Sequence, residues 1–212
     1  MPTAAQLQDA VAQLRESDPV MRRLIDEIGA ESLGDRRRGR PREHYAVLVR
    51  TIVGQQLSTR AAGAIHERLL ARYGGRAPTP DEVLAEDPEE LRAAAGLSRA
   101  KVTYLRSLAE HVLDGSLELH KLGRLPDDQV IAELTAVKGL GEWSAHMFLM
   151  FHLQRPDVLP VGDLGIRRAV MVAYGLEAMP NPAQLESIGA RWQPHRTLAS
   201  LFLWRSLEAT PV

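Results

Sequence analysis

The sequence predicts an all-α protein, a two-lobed helical array with a cleft between the lobes, and three observations carry that prediction. Apolar residues recur at helical spacing along nearly all of the 212 residues. No segment shows sustained period-two alternation, so little or no strand is expected. Segment starts are punctuated by cap residues followed by proline, and segment ends by glycine.

Taken in order, Leu7, Val11 and Leu14 share one stripe, and Val20, Leu24 and Ile28 share another after the Asp18-Pro19 cap and first-turn pair. Gly29 to Pro41 reads as a breaker-rich, Arg-rich loop. HYAVLVRTIVGQQL is nearly all apolar and reads as a buried central helix. Ser58 caps the next helix, closed by Gly74 and Gly75. Short acidic helices start at Pro80 and Pro88. Ser98 opens a longer helix with Val102, Leu105, Leu108 and Val112 on one face, ending at Gly115. Pro126-Asp127-Asp128 starts a helix that stops at Val137-Lys138-Gly139-Leu140-Gly141, and an apolar helix follows from Glu142 to about Leu153. A helix through Ile166, Val170 and Ala173 follows Gly162-Asp163, and two more start after Asn181-Pro182 and Pro194. One lobe is expected over about 43–155, the other over about 1–42 plus 156–212. There is no internal repeat and no long low-complexity linker.

Composition narrows the chemistry. With no cysteine, disulfide scaffolds, thiolate zinc sites, iron–sulfur clusters and cysteine nucleophiles are excluded. The seven histidines show no ligand spacing, so no catalytic metal is expected. No apolar run approaches the roughly 20 residues of a spanning helix, and the N-terminus lacks a signal peptide's charged start and apolar centre. A soluble, monomeric, cytoplasmic protein with no membrane partner is expected. The formal net charge of −1 argues against a strongly basic nucleic-acid binder. The charge is uneven, however: residues 35–42 read DRRRGRPR and residues 81–90 read DEVLAEDPEE. Contact with a polyanion must then come from a local patch or from backbone groups. Arg36, Arg37, Arg38, Arg40 and Arg42 suit phosphates, or are simply a solvated loop.

Gly139 and Gly141 between two amphipathic helices make a tight hairpin. Without Cβ atoms, backbone amides approach a phosphate closely, and the dipole of the following helix favours the anion. Such a contact positions nucleic acid without reading its sequence, and Lys138 adds charge beside it. The plain alternative is an ordinary helical hairpin with a glycine stop. Asp163, immediately before a helix, reads equally as an N-cap and as a rigidly held carboxylate for catalysis.

V-K-G-L-G-E-W-S-A resembles the helix–hairpin–helix motif of a DNA-repair superfamily, in which a Pro-Gly-Val-Gly-like hairpin precedes a catalytic Asp by a short helix and loop. Here P-V-G-D-L-G-I-R-R-A stands at that separation. V-G-Q-Q-L-S near Gly54 and R-W-Q-P-H-R-T-L-A-S-L-F-L-W near the C-terminus are similar to the 3-methyladenine DNA glycosylase II (AlkA) family. Longer members carry an additional N-terminal mixed domain, which is expected to be missing or reduced here.

The resemblance implies a monofunctional glycosylase that removes 3-methyladenine-like and 7-methylguanine-like bases from damaged double-stranded DNA in base excision repair, leaving an abasic site. It implies that Asp163 stabilises the sugar cation and orients the attacking water. Members with lyase activity place a Lys two residues after the last hairpin glycine, where it forms a Schiff base; this chain has Trp143 there. By resemblance Trp143 and Trp204 wall the pocket for the flipped base, with Met147 and Leu164 aliphatic where relatives carry aromatic residues. As indoles attract cations, such a pocket suits positively charged bases; otherwise both tryptophans are core, as Trp192 is expected to be. Gln55, Gln56 and Leu57 match the wedge loop, with Gln56 at the plug position, or else they merely end a helix. Lys138, Gly139, Leu140 and Gly141 are implied to grip phosphate. No cofactor is implied beyond a structural monovalent cation held by the carbonyls of Thr135, Val137 and Leu140. The competing readings are a glycosylase for another lesion, a non-catalytic helix–hairpin–helix DNA-binding protein, and a helical protein-interaction scaffold.

Overall fold

A computed structural model describes residues 3–33 and 41–209. The regular structure among these residues is all helical, with no strand, and they divide into two compact units: Met1–Arg38 with Leu149–Val212, and Gly39–Phe148.

The first unit opens with α1 (Ala4–Ser17) and α2 (Pro19–Ile28). Thr3 caps α1 reciprocally with Gln6, and Asp18 caps α2 through the amides of Val20 and Met21, with Pro19 at the first helical position. A short 3-10 turn, Ala30–Leu33, lies within the Gly29–Pro41 segment expected as a loop.

The second unit carries α3 (His44–Gly54), α4 (Thr59–Arg72), α5 (Pro80–Ala85), α6 (Pro88–Ala95), α7 (Arg99–Leu113), α8 (Asp127–Ala136) and α9 (Glu142–Phe148). Ser58, Thr79, Asp87 and Ser98 each accept a backbone amide in the first turn of the helix they precede. α3 supplies the centre of this unit, with Leu48, Val49, Ile52 and Val53 fully buried. A 3-10 segment at Leu119–Arg124 has no counterpart in the sequence reading.

α10 (Leu164–Tyr174), α11 (Pro182–Gly189) and α12 (Arg196–Ala209) complete the first unit. Its core gathers Leu14, Met21, Ile25, Ile166, Val170, Leu185, Trp192 and Phe202.

The helix expected from Glu142 to about Leu153 is α-helical only to Phe148; Leu149–Leu153 is a π turn. The Arg155 amide closes this wide turn on the Leu149 carbonyl at 2.9 Å, and Gln154 leaves it in the left-handed region at φ 58°. The division between units falls at this same step, whereas the sequence reading put it at about residue 155.

Asp18 does more than cap. It is fully buried, and its Oδ2 accepts the Tyr174 hydroxyl and, at 3.0 Å, the Trp192 indole N–H. One carboxylate thus ties α2 to the end of α10 and to the segment before α12. Asp18→Ala removes a cap and orphans the buried Trp192 indole and the half-buried Tyr174 hydroxyl. The expected loss is about 3 kcal/mol of unfolding free energy, read by urea denaturation.

His66 is buried on α4, and burial first, then the Arg50 charge, hold its pKa below the ordinary histidine value. The unfolded chain therefore takes up a proton before the folded chain does. This contribution to stability is complete above the ordinary value of about 6.5 and is lost as pH falls through the lowered one. Denaturation midpoints measured from pH 7.5 downward should fall less steeply in His66→Gln than in the parent.

Candidate active site

Asp163 is the N-cap of α10, and its Oδ1 accepts the Ile166 amide at 2.7 Å. The same oxygen accepts the indole N–H of Trp204, on α12, at 3.0 Å. Trp204 in turn stacks on Phe151 of the π turn, with ring centroids 6.0 Å apart and planes 23° apart. Gly165 leaves room for the close approach of α12 to this cap. A Cβ there would stand 3.0 Å from Asp163 Oδ1 and 3.2 Å from the Trp204 ring.

The chain leading to Asp163 is clamped as well. Thr197 Oγ1 donates to the Arg155 carbonyl at 2.7 Å and accepts the Val158 amide at 3.1 Å. Arg196 forks onto both carboxylate oxygens of Asp157 at 2.7 and 3.0 Å, the strong planar form of an ion pair. The start of α12 thus fixes Arg155–Val158, and its later turn, through Trp204, fixes Asp163. Of the residues expected here, Leu164 is exposed at 66 % as the first residue of α10. Phe151, Gly165, Arg196 and Thr197 were not singled out from sequence. The D-L-G triplet at 163–165 was the available signal for Gly165.

In the second unit, the hairpin between α8 and α9 places Gly139 at φ 95° with the Tyr104 ring against it, where a Cβ would overlap the ring. Gly141 faces open space, so only Gly139 is required by the turn. The Leu140 amide is committed to the Val137 carbonyl at 3.0 Å. That removes it from the expected phosphate donors, because the tight turn consumes it. Lys138 and Thr135 are exposed, while Val137 and Leu140 are buried. Trp143 is 47 % exposed near the start of α9, with Met147 part-buried one turn later.

The turn after α3 corrects the wedge expectation at one residue. Gln55 is half-buried, and its carboxamide N–H donates to the Gly139 carbonyl at 2.8 Å. A side chain so engaged is not poised for insertion. Gln56, at φ 57°, and Leu57 are exposed. Arg42 is exposed just before α3; Arg36, Arg37, Arg38 and Arg40 lie outside the described residues. Trp192 is core, as expected, at 0 % exposure.

An all-helical chain with a glycine hairpin and an aspartate-capped helix downstream has the architecture of a helix–hairpin–helix protein. Residues 49–195 match the model of the HhH-GPD superfamily base excision DNA repair proteins. DNA-3-methyladenine glycosylase 1 of Schizosaccharomyces pombe is 33% identical over 202 residues, 94% of this chain and 87% of that protein. The solved S. pombe 3-methyladenine DNA glycosylase in complex with abasic DNA superposes with a TM-score of 0.81 at 32% identity, over 94% of this chain and 97% of that one. A DNA-3-methyladenine glycosidase from Bacillus halodurans superposes with a TM-score of 0.70 at 34% identity, over 89% of each chain. The chain belongs to the HhH-GPD superfamily of base excision DNA repair proteins.

Gly165→Ala tests the packing around the carboxylate. Ala is the better helix former by up to about 1 kcal/mol, so global stability should change little. The Trp204 indole N–H should nevertheless exchange with solvent on the order of tenfold faster, followed by NMR, as its hydrogen bond is pushed apart. An unchanged indole would mean that Gly165 does not set this contact.

Proposed function

We propose that this chain is a monofunctional DNA glycosylase that hydrolyses the N-glycosidic bond of alkylated bases, 3-methyladenine-like and 7-methylguanine-like, and leaves an abasic site. The observation that carries the reading is the doubly held Asp163 carboxylate in a chain of this superfamily. The substrates named for its relatives support the choice of lesion. Within that reading, the glycosylase II type rests on the Gly54–Ser58 and Arg191–Trp204 stretches.

A methylated purine of this kind carries positive charge and departs as a neutral base, so the harder task is to stabilise the sugar as its C1′–N bond lengthens. A fixed carboxylate serves that task because it needs no reorganisation as oxocarbenium charge develops, and its effect grows where water is excluded. Water then forms the C1′–O bond, its proton passes to solvent or to Asp163, and the strand stays intact. Trp143 has no amine to form a Schiff base, which supports water as the nucleophile.

The amides of Gly139 and Gly141, with Lys138, are proposed to hold a phosphate of the duplex. Gln56 and Leu57 are proposed to fill the gap left by the extruded base. Trp143 and Met147 of the second unit are proposed to contact that base; in the first unit Leu164 follows the Asp163 cap and Trp204 bonds its carboxylate. Backbone carbonyls of Thr135, Val137 and Leu140 are hard neutral oxygens that suit a monovalent cation. Such an ion would supply positive charge toward the phosphate.

Asp163→Asn is the informative substitution. Asn caps a helix as well as Asp does, and its amide oxygen can still accept from Trp204, so the melting temperature should stay close to that of the parent. Excision of 3-methyladenine from duplex DNA should fall by roughly 100-fold or more. The parent's product should nick only on heating or in alkali. A fully active Asp163→Asn enzyme would remove the proposed role of the carboxylate, and direct strand cleavage by the pure parent would remove the monofunctional assignment.

A further inference from the structure

Two loops of the second unit, the turn after α3 and the hairpin before α9, meet through one side chain. Gln55 Nε2 donates to the Gly139 carbonyl at 2.8 Å and reaches Ser144 Oγ at 3.4 Å, across 84 and 89 residues of sequence. Helix α7 backs both loops from one face. Lys101 Nζ donates to the Val53 carbonyl at 2.7 Å, in the last turn of α3. Tyr104, three residues on, presses its ring on Gly139. The Lys101 ammonium satisfies a carbonyl left over at a helix C-terminus, where positive charge is favoured. The turn itself is tight: the Leu57 amide bonds the Gly54 carbonyl at 3.3 Å, and Gln56 occupies the left-handed region.

We infer that Gln55 is a positioning residue whose carboxamide fastens the Gln56–Leu57 turn to the Gly139 hairpin, so that the element gripping the DNA backbone and the element entering the duplex move as one piece. The functional half of this inference rests on the proposed glycosylase reading. Its physical basis is load. Extruding a base works against a few kcal/mol of stacking and pairing. A turn anchored only at its two chain ends would yield to that load instead of holding the gap open. Anchored through Gln55 to the hairpin, and braced on α7 by Lys101, it pushes against the part of the protein already fixed on phosphate. The carboxamide is spent on this bond, which leaves Gln56 as the glutamine that meets the bases.

The test uses the full chain carrying Gln55→Met, which keeps reach and removes the donor. Gln55→Glu, which sets a carboxylate oxygen against the Gly139 carbonyl, is the second variant should the first fold poorly. In the absence of DNA, amide exchange at Leu57 and Leu140 should accelerate together, by about tenfold, while the melting temperature moves only a few degrees. Affinity for undamaged duplex should stay within about twofold, because phosphate contacts carry it. Fluorescence of a 2-aminopurine placed as the extruded base should fall by about tenfold relative to the parent. Gln56→Ala should lower that fluorescence while leaving Leu140 exchange unchanged. Parent-like exchange at Leu140 in Gln55→Met would overturn the fastening. Faster exchange with undiminished base extrusion would overturn its role in the wedge. A parent that excises no alkylated base would fail the glycosylase reading alone, since the exchange measurement decides the fastening without it.

Discussion

Asp163 Oδ1 accepts two donors from different parts of the chain, the Ile166 amide at 2.7 Å and the Trp204 indole at 3.0 Å. An oxygen shared in this way has its direction set, since moving it toward one donor lengthens the bond to the other. The surrounding residues keep both donors in place. Phe151 backs the indole, Gly165 leaves room for it, and Arg196 and Thr197 hold the segment that leads to the cap. Each is individually an ordinary packing or capping contact worth about 1 kcal/mol. Together they restrict a carboxylate that would otherwise rotate, which is the condition for electrostatic stabilisation without reorganisation.

The same chemical device appears twice in this unit. Asp18 also caps a helix and also accepts a tryptophan indole, but it is fully buried and takes the Tyr174 hydroxyl as well. With both oxygens engaged and no exposure, Asp18 can only hold the fold. Asp163 retains partial exposure, beside an exposed Leu164. Capping and indole bonding therefore do not by themselves make a site. What separates the two aspartates is access.

That separation explains what could be read from the sequence. Helix starts were legible because a cap is a local event: Asp18-Pro19, Ser58, Ser98 and Asn181-Pro182 each satisfy amides within three residues. The hairpin glycines were legible for the same reason. Partners far apart in sequence were not. Helical period tells which face is apolar but not what lies against it, so the pairing of Asp18 with Trp192 across 174 residues could not be derived. Nor could that of Trp204 with Asp163 across 41. Trp204, expected as a pocket wall, turned out to carry a hydrogen bond that orients the carboxylate. Gln55, expected in a wedge, turned out to reach 84 residues away. The π turn and the 3-10 segment at Leu119–Arg124 were missed because neither leaves a period of its own in so few residues.

A net charge of −1 is an awkward endowment for a protein proposed to bind a polyanion, and the ion pairs of the second unit show how the difficulty is contained. The glutamates of the acidic run at 81–90 are matched locally. Glu82 pairs with Arg76, Glu86 with Arg72 and the Tyr73 hydroxyl, and Glu89 with Arg92 and Arg99. The two hydrogen-bonded Arg76 contacts hold the Glu82 carboxyl at about 2, well below the usual carboxylate range. The exposed pairs among these add little stability, but all of them cancel charge at short range, and screening removes most of the remainder beyond roughly 10 Å at moderate salt. On the proposed reading, the hairpin can then attract phosphate through backbone amides and Lys138 in spite of the net charge. A grip made that way is indifferent to sequence. On the glycosylase reading proposed above, selectivity must then come from the base and the sugar, the task assigned there to the constrained carboxylate.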